Sequence, residues 1–167
     1  MTDTRESLVV PNVYGLVRQR DAAPAVLIQK RWKPRSDPGN LGRWELPGGK
    51  WHAWEPVMDC LRREVEEETG VGDITVGQSV AEHELHGQLV QVSRPDLCVQ
   101  MIDGGYPSML MVFLAIGTGE PQSRGDDTRD AQWMPTDKLR QRLEHDAEAF
   151  TPLTYAGLRE AFARGLL

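Results

Sequence analysis

The first apolar positions come in two runs. Leu8 to Val17 is rich in Val, Leu and Tyr, and Ala25 to Trp32 follows it after the turn Arg20-Asp21-Ala22-Ala23-Pro24. Both runs predict neighbouring strands, since β-branched and aromatic residues bounded by Pro and Asp mark strands and turns. Lys33 to Gly42 carries two prolines and two glycines and predicts a loop. Arg43 to Leu46 predicts a short extended piece, stopped by Pro47-Gly48-Gly49.

The period then changes from two to that of a helix. Pro56 suits a first helical turn, where its missing N–H has no partner to lose, and Gly70 suits a helix end. The predicted helix runs from about Pro56 to Thr69. At roughly 100° per residue, Val57, Met58, Leu61 and Val65 form one buried stripe. Glu64, Glu67 and Glu68 cluster on the adjoining arc, while Glu66 and Asp59 point away.

Beyond the helix, Ile74 to Glu84 and Leu89 to Ser93 predict strands around His86-Gly87, and Met109 to Ile116 predicts a strong apolar strand. Pro95 to Pro107 reads as a loop or an interface excursion. The polar stretch GTGEPQSRGDDTRD predicts another loop, followed by a short strand at Ala131 to Met134 and helices at Thr136 to Glu144 and Thr154 to Arg164. Strands and helices alternating irregularly predict an α/β sandwich with a mixed sheet.

The 167 residues fit one domain, 1–167, with 40% hydrophobic and 26% charged content. No apolar run approaches the roughly 20 residues of a membrane-spanning helix. The opening MTDTRESLVV lacks the basic-then-apolar order of a secretory signal, so the expected location is the cytoplasm, with no membrane partner. A net charge of −6 and a pI near 5.2 disfavour a surface for duplex nucleic acid, which relies on Lys and Arg. Cys60 and Cys98 have neither zinc spacing nor disulfide density and read as small packed side chains.

Acids three and four apart on a helix repel one another. Taken alone, the string Glu64-Val65-Glu66-Glu67-Glu68 fits a solvated helical face. A divalent cation would relieve the repulsion of Glu64, Glu67 and Glu68, because Mg²⁺ and Mn²⁺ prefer hard oxygen ligands. It would also bring polyphosphate to an acidic protein.

From Gly49 the chain reads glycine, five residues, Glu55, seven residues, then Arg63-Glu64-Val65-Glu66-Glu67-Glu68-Thr69-Gly70-Val71. This resembles the signature of the Nudix hydrolase family at every specified position. Trp44-Glu45-Leu46-Pro47-Gly48-Gly49-Lys50 is similar to the entry segment of its MutT-like branch, and Ala131-Gln132-Trp133-Met134 with the helix after it is similar to its late strand and helix. Trp54 stands where the family often has glycine.

The resemblance implies an α/β/α sandwich around a mixed sheet, with the signature forming loop, helix, loop. It implies that Glu64, Glu67 and Glu68 bind Mg²⁺, or Mn²⁺ as its substitute, with Glu64 a ligand or the base that activates water. The carbonyl of Gly48 or Gly49 would complete the shell, Glu55 would support it, and Arg63 would orient a carboxylate. A late-loop acid is also implied; Asp127 is the candidate, with Asp126 and Glu120 behind it.

The implied reaction is metal-assisted hydrolysis of a pyrophosphate bond in a nucleoside diphosphate linked to another group. The entry segment favours a (d)NTP or oxidised nucleotide, and ADP-ribose or a nucleotide sugar is the alternative. From another class, a nucleotide-sensing domain without turnover would also fit the fold. Trp44, Trp51 and Trp54 are candidates to stack on the base. The segment Pro95 to Pro107 and the late helices are candidates for a homodimer interface, on composition alone.

Overall fold

The computed structural model describes residues 7–20, 23–77 and 80–167. Asp21 and Ala22 of the expected turn, the opening residues 1–6, and Gln78 and Ser79 of the expected strand lie outside the described residues.

Among the described residues eleven strands occur in chain order: β1 Val10–Gln19, β2 Ala25–Arg31, β3 Trp44–Glu45, β4 Gly48–Lys50, β5 Asp73–Val76, β6 Val80–Leu85, β7 Gln88–Ser93, β8 Leu97–Gln100, β9 Ser108–Thr118, β10 Arg124–Gly125 and β11 Thr128–Pro135. The helices are α1 Val57–Thr69, α2 Thr136–His145 and α3 Pro152–Ala163. Nine strands build a mixed sheet with the order β10-β11-β2-β1-β9-β5, to which β3 adds on β2, β4 on β1 and β8 on β9. Its parallel pair is β1 with β9, from Val10 opposite Ser108 to Gln19 opposite Gly117.

The period of two along the strands divides the core between the two faces of this sheet. On one face Tyr14, Leu16, Ile28 and Val112 pack against Leu139 and Leu143 of α2 and Leu158 of α3. On the other, Val13, Val17, Leu27 and Phe113 pack against Val57, Cys60, Leu61 and Val65 of α1. The expected α/β/α arrangement follows from that alternation.

One irregularity positions the site. Asn12, Val13 and Tyr14 of β1 pair with β4, whereas Arg18 further along the same strand pairs with Val26 of β2. Strand β3 in turn lies on β2, with Trp44 opposite Lys30 and Glu45 opposite Gln29. The link Leu46-Pro47 therefore crosses from β2 to β1 where the two diverge, and the sheet is split there.

Three expectations need correction. Pro95 to Pro107 is not wholly a loop: Leu97–Gln100 pairs antiparallel with β9. It has only one buried position, Leu97, so it carries little of the alternation that marks a strand. The single strand expected from Ile74 to Glu84 is two, with β5 on β9 and β6 in a separate hairpin with β7. Within the late polar loop, Arg124 and Gly125 form a short strand against β11.

Candidate active site

Helix α1 ends at Gly70, whose left-handed backbone (φ 75) lets its N–H return to the Glu66 carbonyl. Pro56 sits one place before the helix, as its cap. With Val57, Leu61 and Val65 turned to the sheet, the adjoining acids emerge at graded depths. The Glu67 side chain is 49% exposed, Glu64 is half-buried, and Glu68 is only 5% exposed.

Glu68 enters the split in the sheet. Its Oε2 accepts from the Gly48 N–H at 2.9 Å and from Gln29 Nε2 at 2.5 Å, so one carboxylate joins β4 to β2. Burial pushes this carboxyl up to about 8, with the nearby charge of Glu45 adding to the effect. Glu45 is itself buried and pushed up to about 7 by that burial, although Arg31 Nη1 donates to it at 3.1 Å. Burial beside Glu45 and Glu68 also raises Tyr14 well above the usual phenol range. Gln29 is fully buried, and its Oε1 has no partner among the described residues.

Arg63 organises the acids on the open side. Its Nε and Nη2 donate to the two oxygens of Glu55 at 2.8 and 3.0 Å, a two-pronged contact suited to a planar guanidinium. Its Nη1 donates to Glu64 at 2.5 Å and reaches Glu67 at 3.3 Å. The guanidinium holds the Glu55 carboxyl down at about 2. Glu64 lies directly against Gly49, where an added Cβ would meet its Oε2 at 2.3 Å. A Cβ there would displace that carboxylate, the flexible end of its side chain.

The end of α1 is closed by the late loop. The N–H of Gln122 donates to the Thr69 carbonyl at 2.8 Å, that of Asp126 to the Glu67 carbonyl at 3.2 Å, and the Thr128 hydroxyl to the Glu68 carbonyl at 2.9 Å. These satisfy acceptors that a helix end leaves unpaired. They also bring Asp126 to the cleft wall, while Asp127 is 57% exposed and pairs with Lys33 at 3.6 Å. Of the three late-loop candidates, Asp126 lines the cleft, and Asp127 and Glu120 do not.

These elements bound a cleft of about 700 Å³ lined by Gly48, Gly49, Arg63, Glu64 and Glu67, among others. The three tryptophans expected to stack on a base do not line it. Trp44 is buried in the core beneath Lys30, Trp51 donates its indole N–H to the Glu55 carbonyl at 2.7 Å, and Trp54 is fully exposed. Trp54 keeps a left-handed backbone (φ 66), which glycine adopts at less cost. Pattern reasoning missed Gln29, Glu45, Tyr14 and Arg31, since each reaches the site by strand pairing rather than by spacing.

The donor set suits a hard divalent cation: carboxylates at Glu64, Glu67 and Glu68, and backbone oxygen at Gly48–Gly49. The orphaned Gln29 Oε1 adds another hard oxygen beside Glu68. Among the described residues no three acidic, His or Cys side chains converge as a ready-made cage. Arg63 draws Glu64 and Glu67 outward while Gly48 and Gln29 draw Glu68 inward. Mg²⁺, which usually takes only one or two carboxylates and keeps its waters, needs no such cage.

The family model described as the NUDIX domain matches residues 9–154. The chain is 30% identical over 124 residues to a putative 8-oxo-dGTP diphosphatase 2 of Mycobacterium tuberculosis, covering 68% of this chain and 74% of the relative. Its fold is similar to the crystal structure of a MutT protein from Methanosarcina mazei Go1, with a TM-score of 0.65 at 20% identity, over 96% of this chain and 97% of that one. A bifunctional NMN adenylyltransferase/ADP ribose pyrophosphatase from Francisella tularensis, solved with AMP and a Mn ion, has a TM-score of 0.65 at 18% identity, over 96% of this chain and 43% of that one. No helix among the described residues is long and apolar enough to cross a membrane.

Proposed function

This chain belongs to the NUDIX family, and we propose that it is a Mg²⁺-dependent hydrolase of a pyrophosphate bond in a (d)NTP or oxidised nucleotide. The observation that carries the reading is the position of the three acids of α1. Glu64 and Glu67 line one cleft, and Glu68 underlies its floor at Gly48. The substrate class is supported by the 8-oxo-dGTP diphosphatase named among the relatives.

In this reading Glu64, Glu67 and Glu68 hold the cation, with the carbonyl of Gly48 or Gly49. When bound, the cation neutralises phosphate oxygens and acidifies water. As the alternative to its ligand role, Glu64, seated between Arg63 and Gly49, would take the proton of an attacking water. Arg63 holds Glu64 and Glu67 in position and offsets their mutual repulsion. Glu55 holds Arg63.

The test is a panel of dNTPs, 8-oxo-dGTP, ADP-ribose and nucleotide sugars with Mg²⁺ and Mn²⁺, scored by product identity. Release of a nucleoside monophosphate from the triphosphates supports the reading. Cleavage of ADP-ribose alone would move the substrate to that class. Tight nucleotide binding with no hydrolysis across the panel would make the domain a sensor.

A further inference from the structure

The cleft has a second end with a different chemistry. Strands β1 and β9 reach it side by side, and their side chains there are Asn12, Ser108 and Leu110, joined by Leu153 from the start of α3 and Tyr106 from the loop before β9. These five are uncharged, and Lys50, opposite Asn12, brings its ammonium to 5.9 Å from the centre of the Tyr106 ring. The acids of α1 stand on the other side of β4, whose Lys50 and Gly48 lie opposite Asn12 and Tyr14.

Asn12 is only 6% exposed, and its amide has a determined orientation. Its Nδ2 donates to the Val10 carbonyl at 2.9 Å and to Ser108 Oγ at 2.8 Å. A carbonyl oxygen can only accept, so the nitrogen must face Val10, and both of its N–H bonds are used. Asn12 Oδ1 has no protein partner among the described residues. It is not a buried orphan, since Gln29 Oε1 is the one such atom there. It opens into the cleft that Asn12 lines. Ser108 Oγ accepts from Asn12, which leaves its own O–H to donate. An acceptor and a donor therefore stand side by side, in a nearly buried place with apolar neighbours.

We infer that Asn12 and Ser108 read the edge of the nucleobase, taking an N–H on Asn12 Oδ1 and giving the Ser108 O–H to the acceptor next to it. Adjacent donor and acceptor groups are what base edges present, and an ionised phosphate, which only accepts, does not offer that pair. Leu110 and Leu153 supply an apolar wall for a ring. This assignment rests on the nucleotide reading above and adds what that reading lacks, a base-reading pair outside the acidic helix. Discrimination by such a pair is strong, because the wrong edge leaves nearly buried polar atoms unpaired.

The test uses the intact protein with Mg²⁺, the four dNTPs, 8-oxo-dGTP and base-free deoxyribose 5-triphosphate, compared by kcat/KM. The best nucleotide is expected to exceed the base-free substrate by at least about tenfold, and Ser108→Ala to cut that ratio about tenfold, as loss of one hydrogen bond implies. A second arm leaves the protein untouched: the best nucleotide is compared with its analogue methylated at the edge N–H, with an expected loss of about tenfold or more. Binding of the corresponding monophosphates by calorimetry should fall in parallel. If Ser108→Ala does not fold, the methylated analogue decides. An unchanged ratio in a folded Ser108→Ala protein, or equal use of the methylated analogue, overturns the assignment while leaving the hydrolase reading intact. Failure of the wild-type protein to hydrolyse any triphosphate overturns both.

Discussion

Arg63 grips Glu55 with two parallel hydrogen bonds, at 2.8 and 3.0 Å, across the seven residues that separate them. The same guanidinium reaches Glu64 and Glu67, so one cation serves three carboxylates. Repulsion along the acidic helix is thus offset in part by the protein itself, before any metal binds. Lysine carries the charge but lacks the fork. Arg63→Lys is therefore expected to lower stability by about 1–2 kcal/mol and kcat/KM by about 10–100-fold. Denaturant unfolding and steady-state hydrolysis check the two effects.

Glu55 also sets a pH dependence. Its carboxyl is held at about 2 in the folded protein, against about 4.3 in an unfolded chain. In that interval the unfolded state binds more protons, so the contribution of Glu55 is present above about pH 4.3 and is lost as pH falls toward 2. Urea titrations across the acid range should show this loss. Glu55→Gln should flatten that part of the curve.

The metal assignment rests on the acids of α1. Glu67→Gln and Glu68→Gln should each reduce hydrolysis at least about a hundredfold, and a chelator should abolish it, with Mg²⁺ or Mn²⁺ restoring it. Mn²⁺ binding followed by electron paramagnetic resonance should weaken in both variants. Full activity in either variant would remove the basis of the proposed mechanism.

Gly125 is pressed against the end of α1: an added Cβ would lie 1.8 Å from the Glu68 carbonyl oxygen. Gly125→Ala must push the late loop off the helix and take Asp126 from the cleft wall. The expected cost is about 2–4 kcal/mol. Gly39→Ala, where the new methyl meets nothing within 4 Å, should change stability by less than about 1 kcal/mol. Unfolding midpoints of the two variants make the comparison.

Trp54 is fully exposed with φ 66, a conformation that costs an ordinary residue about 1–2 kcal/mol. Trp54→Gly should relieve it at the expense of a more flexible unfolded chain. The net change is expected to lie between neutral and about 1 kcal/mol of stabilisation. Because Trp54 does not line the cleft, KM for nucleotide should not change. A marked rise in KM would show that this indole does hold the base.

The acidic helix was legible from its own residues. Its start at Pro56, its end at Gly70 and the common arc of Glu64, Glu67 and Glu68 depend on a period of 3.6 and on local capping, and both are written in neighbouring positions. The resemblance to the family signature led to Glu55 and Arg63, whose contact spans one short loop and two helical turns. The major strands were legible because a half-buried sheet needs alternating side chains.

Pairing between distant segments decided the rest. Glu68 lies deepest because Gln29 and Gly48, 39 and 20 residues away, bracket it where β1 and β2 diverge. Asp126 rather than Asp127 meets the cleft because the loop's N–H groups cap α1. Asn12 and Ser108 meet across 96 residues only because β1 and β9 run parallel in one register. Local periodicity records which face a residue shows; which other residue it faces depends on how the whole sheet is assembled.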